Sequence, residues 1–153
     1  MRTDWIADEI KPKLRQLLDT LFAEVPSGVG RAGLTRLSDS EMNEILAKGS
    51  RWSLEQGYGT KDDLATTEEY GCMKQADPQF VSRTAIARGK PQLGTLGAGN
   101  HFLEIQAVDA VYDEKTAKAF GIDGKGQVVV MVHCGSRGLG HQVASDYIRE
   151  IEK

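Results

Sequence analysis

Three observations predict a layered fold of mixed helix and strand, α/β or α+β. Helical and extended patterns alternate along the chain, glycine-bearing loops separate them, and length and composition suit a packed core. The 153 residues are 27% charged and 40% hydrophobic with a net charge of −3, ordinary for one globular domain or part of one. So few strands leave the topology open.

Each element has its own signal. Ile10, Leu14, Leu17, Leu18, Leu21 and Phe22 recur at helical spacing and predict an amphipathic helix ending near Glu24, with Pro12 tolerable only in its first turn. Pro26, Gly28, Gly30 and Gly33 mark a loop, and Ser38 with Glu41 forms a capping box for a helix to about Lys48, stopped by Gly49. Residues 50 to 77, with Trp52, Gly57 and Gly59 among polar clusters, predict short helical turns joined by loops. Pro78 fits the first turn of a helix running to about Arg88, where Gly89 and Pro91 end it. Residues 101 to 108 and 127 to 133 favour strands, the second apolar on both faces and hence central in its sheet. After Gly138, the spacing of Leu139, Val143, Tyr147, Ile148 and Ile151 predicts a helix to the last residue. The strand, loop and helix over 127 to 151 would put His133 at a strand's C-terminal end, where α/β proteins hold ligands, with loop amides open to phosphate.

Several function classes are disfavoured. The longest apolar run, Val128 to Val132, is far too short to cross a bilayer, and the N-terminal residues lack a signal-peptide pattern, so a cytoplasmic protein with no membrane partner is expected. Cys72 and Cys134 are too few and too far apart for a disulfide framework. A net charge of −3 argues against a nonspecific nucleic-acid coat, which leaves local contacts, for which Arg83, Arg88, Lys90 and Arg137 are the candidates.

All three histidines fall in two glycine-framed segments, Gly94-Thr95-Leu96-Gly97-Ala98-Gly99-Asn100-His101-Phe102-Leu103-Glu104 and His133-Cys134-Gly135-Ser136-Arg137-Gly138-Leu139-Gly140-His141-Gln142. Glycine permits tight turns and close approach to an anion, while His, Asn, Glu and Arg supply ligands and hydrogen bonds for metal and phosphate. On pattern alone, His101 reads first as a satisfied structural histidine at a strand start and second as a ligand. The ligand reading is stronger for His133, because a histidine ending an apolar strand must find a partner for each ring nitrogen. His141, just inside the helix, reads as a surface or supporting residue. Cys134 points away from its neighbour His133 if the segment is extended, and is expected to be a small buried side chain. Asn100 and Glu104 could merely cap loops, and in a regular strand Glu104 would face away from His101. Arg137 suits phosphate slightly better than a structural ion pair.

These two segments resemble the signatures of the RtcB family of RNA ligases, Gly-Thr-Leu-Gly-x-Gly-Asn-His-Phe-x-Glu and His-x-Gly-Ser-Arg-Gly-x-Gly-x-Gln, at every fixed position. The resemblance continues through Val25-Pro26-Ser27-Gly28-Val29-Gly30, Glu69-Tyr70-Gly71-Cys72-Met73, Ala76-Asp77-Pro78 and Val81-Ser82-Arg83. It covers nearly the whole chain, and implies a central segment of a longer family chain, with a small sheet flanked by helices.

The resemblance implies a GTP- and manganese-dependent ligase that joins RNA 3′-phosphate or 2′,3′-cyclic phosphate ends to 5′-hydroxyl ends through a guanylylated histidine. Its substrates would be tRNA halves or broken RNA. By position, His101 and His133 would each ligate a manganese, and Asn100, His101, Phe102, Leu103 and Glu104 would line the guanylate. Glu104 would accept hydrogens from guanine, Asn100 would hold a phosphate oxygen, and Arg137 would contact an RNA phosphate. The family's aspartate and bridging cysteine ligands, a further metal histidine, the guanylylated histidine and a guanine-recognising lysine fall outside these residues. The isolated chain is therefore expected to be inactive, to complement the missing segments, and to self-associate through apolar surface near residues 127 to 133 and the last helix. The alternative is a noncatalytic metal-, nucleotide- or RNA-binding module, or a folded remnant.

Overall fold

A computed structural model describes residues 1–28, 33 and 36–153. They form two compact units, one from the described residues of Met1–Arg31 with Gly94–Gly135, the other from those of Ala32–Leu93 with Ser136–Lys153. Both predicted kinds of element are present. Of the loop expected after the first helix, Gly30 lies outside the described residues.

The first unit is built on a three-stranded sheet of β1 (Arg2–Ile6), β2 (Phe102–Ala107) and β3 (Gln127–His133), ordered β1-β3-β2. Strand β3 is central, as its apolar sequence predicts. Both pairings are antiparallel, so the ligand-site rule for parallel α/β sheets does not apply, and His133 owes its place to pairing register instead. β1 was not foreseen, because five largely polar residues carry no alternation. It is held by tertiary bonds. The Thr3 hydroxyl donates to the Val128 carbonyl at 2.6 Å. The buried Gln127 amide donates to the carbonyls of Thr3 and Gly121 at 2.9 and 3.2 Å, and its oxygen accepts from the Asp123 amide at 2.7 Å. A buried amide that finds all these partners fixes three segments at once.

The predicted first helix exists but is broken: α1 (Ala7–Ile10) passes through a 3₁₀ turn at Lys11–Lys13 into α2 (Leu14–Glu24). Pro12 lacks the amide hydrogen a continuous helix would use. Between β2 and β3 lies α7 (Glu114–Ala119), capped by Asp113, whose carboxylate accepts from the Thr116 amide and hydroxyl, both at 3.0 Å. Six residues are too short for periodicity to reveal.

The second unit contains α3 (Asp39–Lys48), α4 (Ser50–Glu55), α5 (Lys61–Ala65), α6 (Arg83–Gly89) and α8 (Arg137–Ile151). Leu37, Met42 and Trp52 form its buried core, with Ile45, Ile86, Leu93 and Leu139 packed against them. The capping box of α3 is as expected: the Glu41 amide donates to Ser38 Oγ at 3.2 Å and the Ser38 amide to Glu41 Oε2 at 2.7 Å. Ser38→Ala is expected to lower stability by about 1 kcal/mol in a urea titration, the usual cost of losing an N-cap. Gly49 (φ 58°, ψ −137°) turns the chain from α3 into α4, and a Cβ there would collide with the Gly71 carbonyl. Only glycine meets both conditions.

One predicted helix is corrected. Pro78 begins a single 3₁₀ turn, Pro78–Phe80, closed by Asp77, which accepts from the Gln79 amide at 2.9 Å. The chain then extends through Val81, and Ser82 opens α6 by accepting from the Ala85 amide at 3.1 Å. Two caps in close succession make two starts where the sequence suggested one. Helix α6 ends at Gly89, close to the Arg88 predicted, and the chain then tightens into a 3₁₀ turn, Lys90–Gln92.

Helices α6 and α8 are joined by polar contacts. Ser82 Oγ donates to Asp146 at 2.6 Å, Arg88 to Gln142 at 2.8 Å, and the Tyr147 hydroxyl to the Phe80 carbonyl at 3.0 Å. Hydrogen bonds from Ser82 and Gln142 hold the Asp146 carboxyl below its ordinary range. Among the described residues no helix is long and apolar enough to cross a membrane. Apolar side chains stand exposed where the sequence expected them, Met131 and Val132 on β3 and Ile148 and Ile151 on α8.

Candidate functional site

In the first unit, the glycine loop before β2 is pinned by an earlier segment. The Leu96 amide donates to the Pro26 carbonyl at 2.8 Å, and the Gly28 amide lies between the carbonyls of Leu96 and Gly97 at 3.2 and 3.1 Å. Thr95 is buried. The loop therefore delivers Asn100 and His101 to the start of β2 from a fixed base.

Pairing register then assembles the face. Phe102 stands opposite His133 and Glu104 opposite Met131, and directly opposed residues in an antiparallel ladder share a face. Alternation along β2 puts Phe102, Glu104 and Gln106 on this face and Leu103 on the other. The Phe102 and His133 rings stack with centroids 5.5 Å apart, and the His101 ring lies 6.3 Å from that of His133. Gln106 Nε2 donates to Glu104 Oε2 at 2.7 Å and orients that exposed carboxylate. The sequence reading missed this supporting role of Gln106, although its place two residues beyond Glu104 was the signal.

Glu104 is expected to face away from His101 only if 101 to 106 form one regular strand, and β2 begins instead at Phe102. His101 lies outside the ladder, free of its alternation, and its ring reaches the His133 face. Its Nδ1 is buried and has no hydrogen-bond partner. A buried polar atom left this way is an exception that a bound ligand or an ordered water resolves, and an imidazole close to a second imidazole is a donor set suited to a divalent metal. The residues thus fit a metal. Among the described residues no group of three or more His, Cys, Asp or Glu side chains gathers around one.

The other candidates divide. Cys134, expected to be buried, is exposed, because it has left the sheet; its Sγ leans toward the Thr95 carbonyl at 3.7 Å. His141 is a surface residue of α8, with Arg88 Nη1 3.5 Å from its Nδ1. Arg88, proposed for RNA, is committed to the α6–α8 pairing. Arg137, in the second unit, opens α8 with φ of 52°, a conformation costly for a non-glycine residue. Its Nη1 is buried without a hydrogen-bond partner. The next residue, Gly138, donates its amide to Gln92 Oε1 at 2.7 Å, and a Cβ there would force that side chain to shift. A strained arginine with an unmet donor is suited to an anion.

Comparison with known proteins accounts for the coincidence of two histidine segments and a strained arginine in one short chain. The tRNA-splicing ligase RtcB of Pyrobaculum aerophilum is 56% identical over 153 residues, covering all of this chain and 32% of that protein. The protein of the same description from Thermococcus kodakarensis is also 56% identical, with 32% of its length covered. That of Pyrococcus furiosus is 55% identical, with 16% covered. The chain thus spans about a third or less of the length of these relatives. The sequence profile described as tRNA-splicing ligase RtcB matches residues 1–153, and the chain bearing His101, His133 and Arg137 belongs to the RtcB family.

Proposed function

We propose that this chain is the portion of a GTP- and manganese-dependent RNA ligase that presents His101 and His133 as metal ligands. The whole enzyme would join RNA ends bearing a 3′-phosphate or 2′,3′-cyclic phosphate to 5′-hydroxyl ends. The observation that carries this reading is the buried, unpartnered His101 Nδ1 beside the His133 ring, in a chain matched by the family over its whole length.

Manganese, when bound, would offset negative charge on the reacting phosphates and on the triphosphate of GTP. The chain's own residues would do the holding. Phe102, stacked on His133, fixes the plane of that imidazole. Glu104, steadied by Gln106, would accept hydrogens from guanine. Asn100 at the loop end would donate to a phosphate oxygen, and Leu103, whose side chain lies on the other face of β2, would meet the guanylate through its backbone. The unmet donor of Arg137 would pair with an RNA phosphate. A 3′-phosphate is a poor electrophile without a leaving group, and GTP supplies one.

A second reading has support in the absence of a third clustered ligand among the described residues: the isolated chain would be a noncatalytic binder of metal. Titration calorimetry with manganese examines the ligand set. Weak binding is expected, in the range of about 0.1–1 mM, since an incomplete ligand set binds far less tightly than a closed one. His101→Ala and His133→Ala should each remove it. Binding that survives replacement of both histidines would refute the assignment.

A further inference from the structure

The second unit contains a cavity of about 680 Å³ with a basic rim that the ligase reading leaves unused. Its walls carry Arg36, Arg83 and Lys90 together with a single carboxylate, Asp39, over a floor that includes Leu37 and Ile86. Sequence and helix geometry place the cations. Arg83 and Lys90 are seven residues apart, two helical turns along α6 and its continuation, so they share one side separated by about 10 Å. Arg36 comes from the segment entering α3.

The electrostatics are unbalanced. Lys90 Nζ is 2.6 Å from Asp39 Oδ1, so this pair is neutral. Its hydrogen bond and charge, with a contribution from Arg83, hold the Asp39 carboxyl below its usual range and keep it ionised. Glu41 also feels Lys90, but Ser38 engages its carboxylate at the capping box and it is not part of the wall. Among the described residues, neither Arg36 nor Arg83 has an ion-pair partner. The wall's three cations, Arg36, Arg83 and Lys90, therefore outnumber its single carboxylate, in a chain whose net charge is −3. Guanidinium binds phosphate oxygens through parallel hydrogen bonds, and a cleft of one sign focuses the field on an incoming anion.

We propose that the cavity walled by Arg36, Arg83 and Lys90 is a phosphodiester site that grips the backbone of an RNA strand, independently of the chemistry at its ends. The identity of the anion as RNA rests on the ligase reading above; the site itself does not. Asp39 acts as a competing internal anion, so occupancy by phosphate draws Lys90 away from it.

Fluorescence anisotropy of an internally labelled oligouridylate with hydroxyl groups at both ends, titrated with this chain in chelator over a salt series, tests the proposal. Such an RNA offers no ligatable phosphate, and the chelator removes metal from the histidines. Arg36→Gln with Arg83→Gln should weaken binding by about tenfold and reduce the slope of log affinity against log salt by about 1.4, two single-strand phosphate contacts. Asp39→Asn should tighten binding about threefold by removing the competitor. Lys118→Gln on α7 should leave it unchanged. Since Asp39→Asn acts in the opposite direction, a fold defect in the arginine variant would still leave a decisive measurement. Unaltered affinity and slope in the double variant, no binding by the unsubstituted chain, or weaker binding by Asp39→Asn would each overturn the site. Saturable binding of inorganic phosphate without binding of the RNA would overturn the RNA assignment. Failure of ligation in a family background, with this binding intact, would fall on the ligase reading alone.

Discussion

His133→Ala is expected to abolish RNA joining, lowering it by more than about 100-fold, when these 153 residues replace the corresponding stretch of the Thermococcus kodakarensis relative. Changes to residues that merely support a metal ligand cost about 10–100-fold, and loss of a ligand should cost more. The assay supplies GTP, manganese and two RNA strands, one ending in a 3′-phosphate and the other in a 5′-hydroxyl. His133→Phe sharpens the result. It preserves a ring to stack on Phe102, whose centroid lies 5.5 Å from that of His133, but removes both nitrogens. If His133 serves as a ligand, the phenylalanine variant fails as completely as the alanine variant. Recovery of joining by phenylalanine would mean that His133 only packs. Asn100→Ala should also stop joining in the chimaera without altering its fold.

The second large effect concerns stability. Met42 is 1% exposed at the centre of a core whose other buried members are Leu37 and Trp52. Truncating a buried methionine to alanine costs about 2–5 kcal/mol through lost transfer energy and the cavity left behind. The partly buried Ile45, Ile86, Leu93 and Leu139 pack against this cluster and can relax into part of the cavity, so Met42→Ala should fall in the middle of that range, about 3 kcal/mol. Met42→Leu, which nearly conserves volume, should cost less than about 1.5 kcal/mol. Urea unfolding followed by tryptophan fluorescence, with Trp5→Phe as the background so that only Trp52 in the same cluster reports, measures both. Equal losses in the two variants would mean that side-chain chemistry rather than volume governs this core.

Sequence made legible those elements whose signals are local. The capping box at Ser38 and Glu41, the stop at Gly49, the apolar run of β3 and the periodicity of α8 each rest on residues within a few positions of one another. Features set by distant partners were not legible. β1 exists because Thr3 and Gln127 meet across the sheet, and no pattern within Arg2–Ile6 announces that. The helix expected from Pro78 failed for a local reason, two successive caps at Asp77 and Ser82, where the reading rested on Pro78 alone. In the site, the residue types were readable from the two glycine-framed segments, but their faces were not. Ordinary strand alternation put Glu104 and His101 on opposite sides, and the start of the ladder at Phe102 takes His101 out of that alternation. Arg36 was overlooked because its meaning comes from Arg83 and Lys90, remote in sequence and adjacent in the fold.

The hairpin of β2 and β3 also determines where this chain can tolerate changes in length. Its ladder is closed by bonds from the Val108 amide to the Gln127 carbonyl at 2.9 Å and from the Gly126 amide to the Val108 carbonyl at 2.8 Å. Residues 109 to 125 hang beyond that closure. Insertions at the exposed start of this stretch, around Tyr112 and clear of the Gly121 and Asp123 bonds to Gln127, would leave the register untouched and the histidine face intact. A single deletion between Phe102 and Ala107 would do the reverse. With a two-residue repeat there is no half-measure: Leu103 and Ile105 would rotate onto the side of His133, and Glu104 would leave it. The same hairpin thus joins a connection open to engineering around Tyr112 to a neighbouring strand in which one missing residue exchanges Glu104 for apolar side chains on the histidine face.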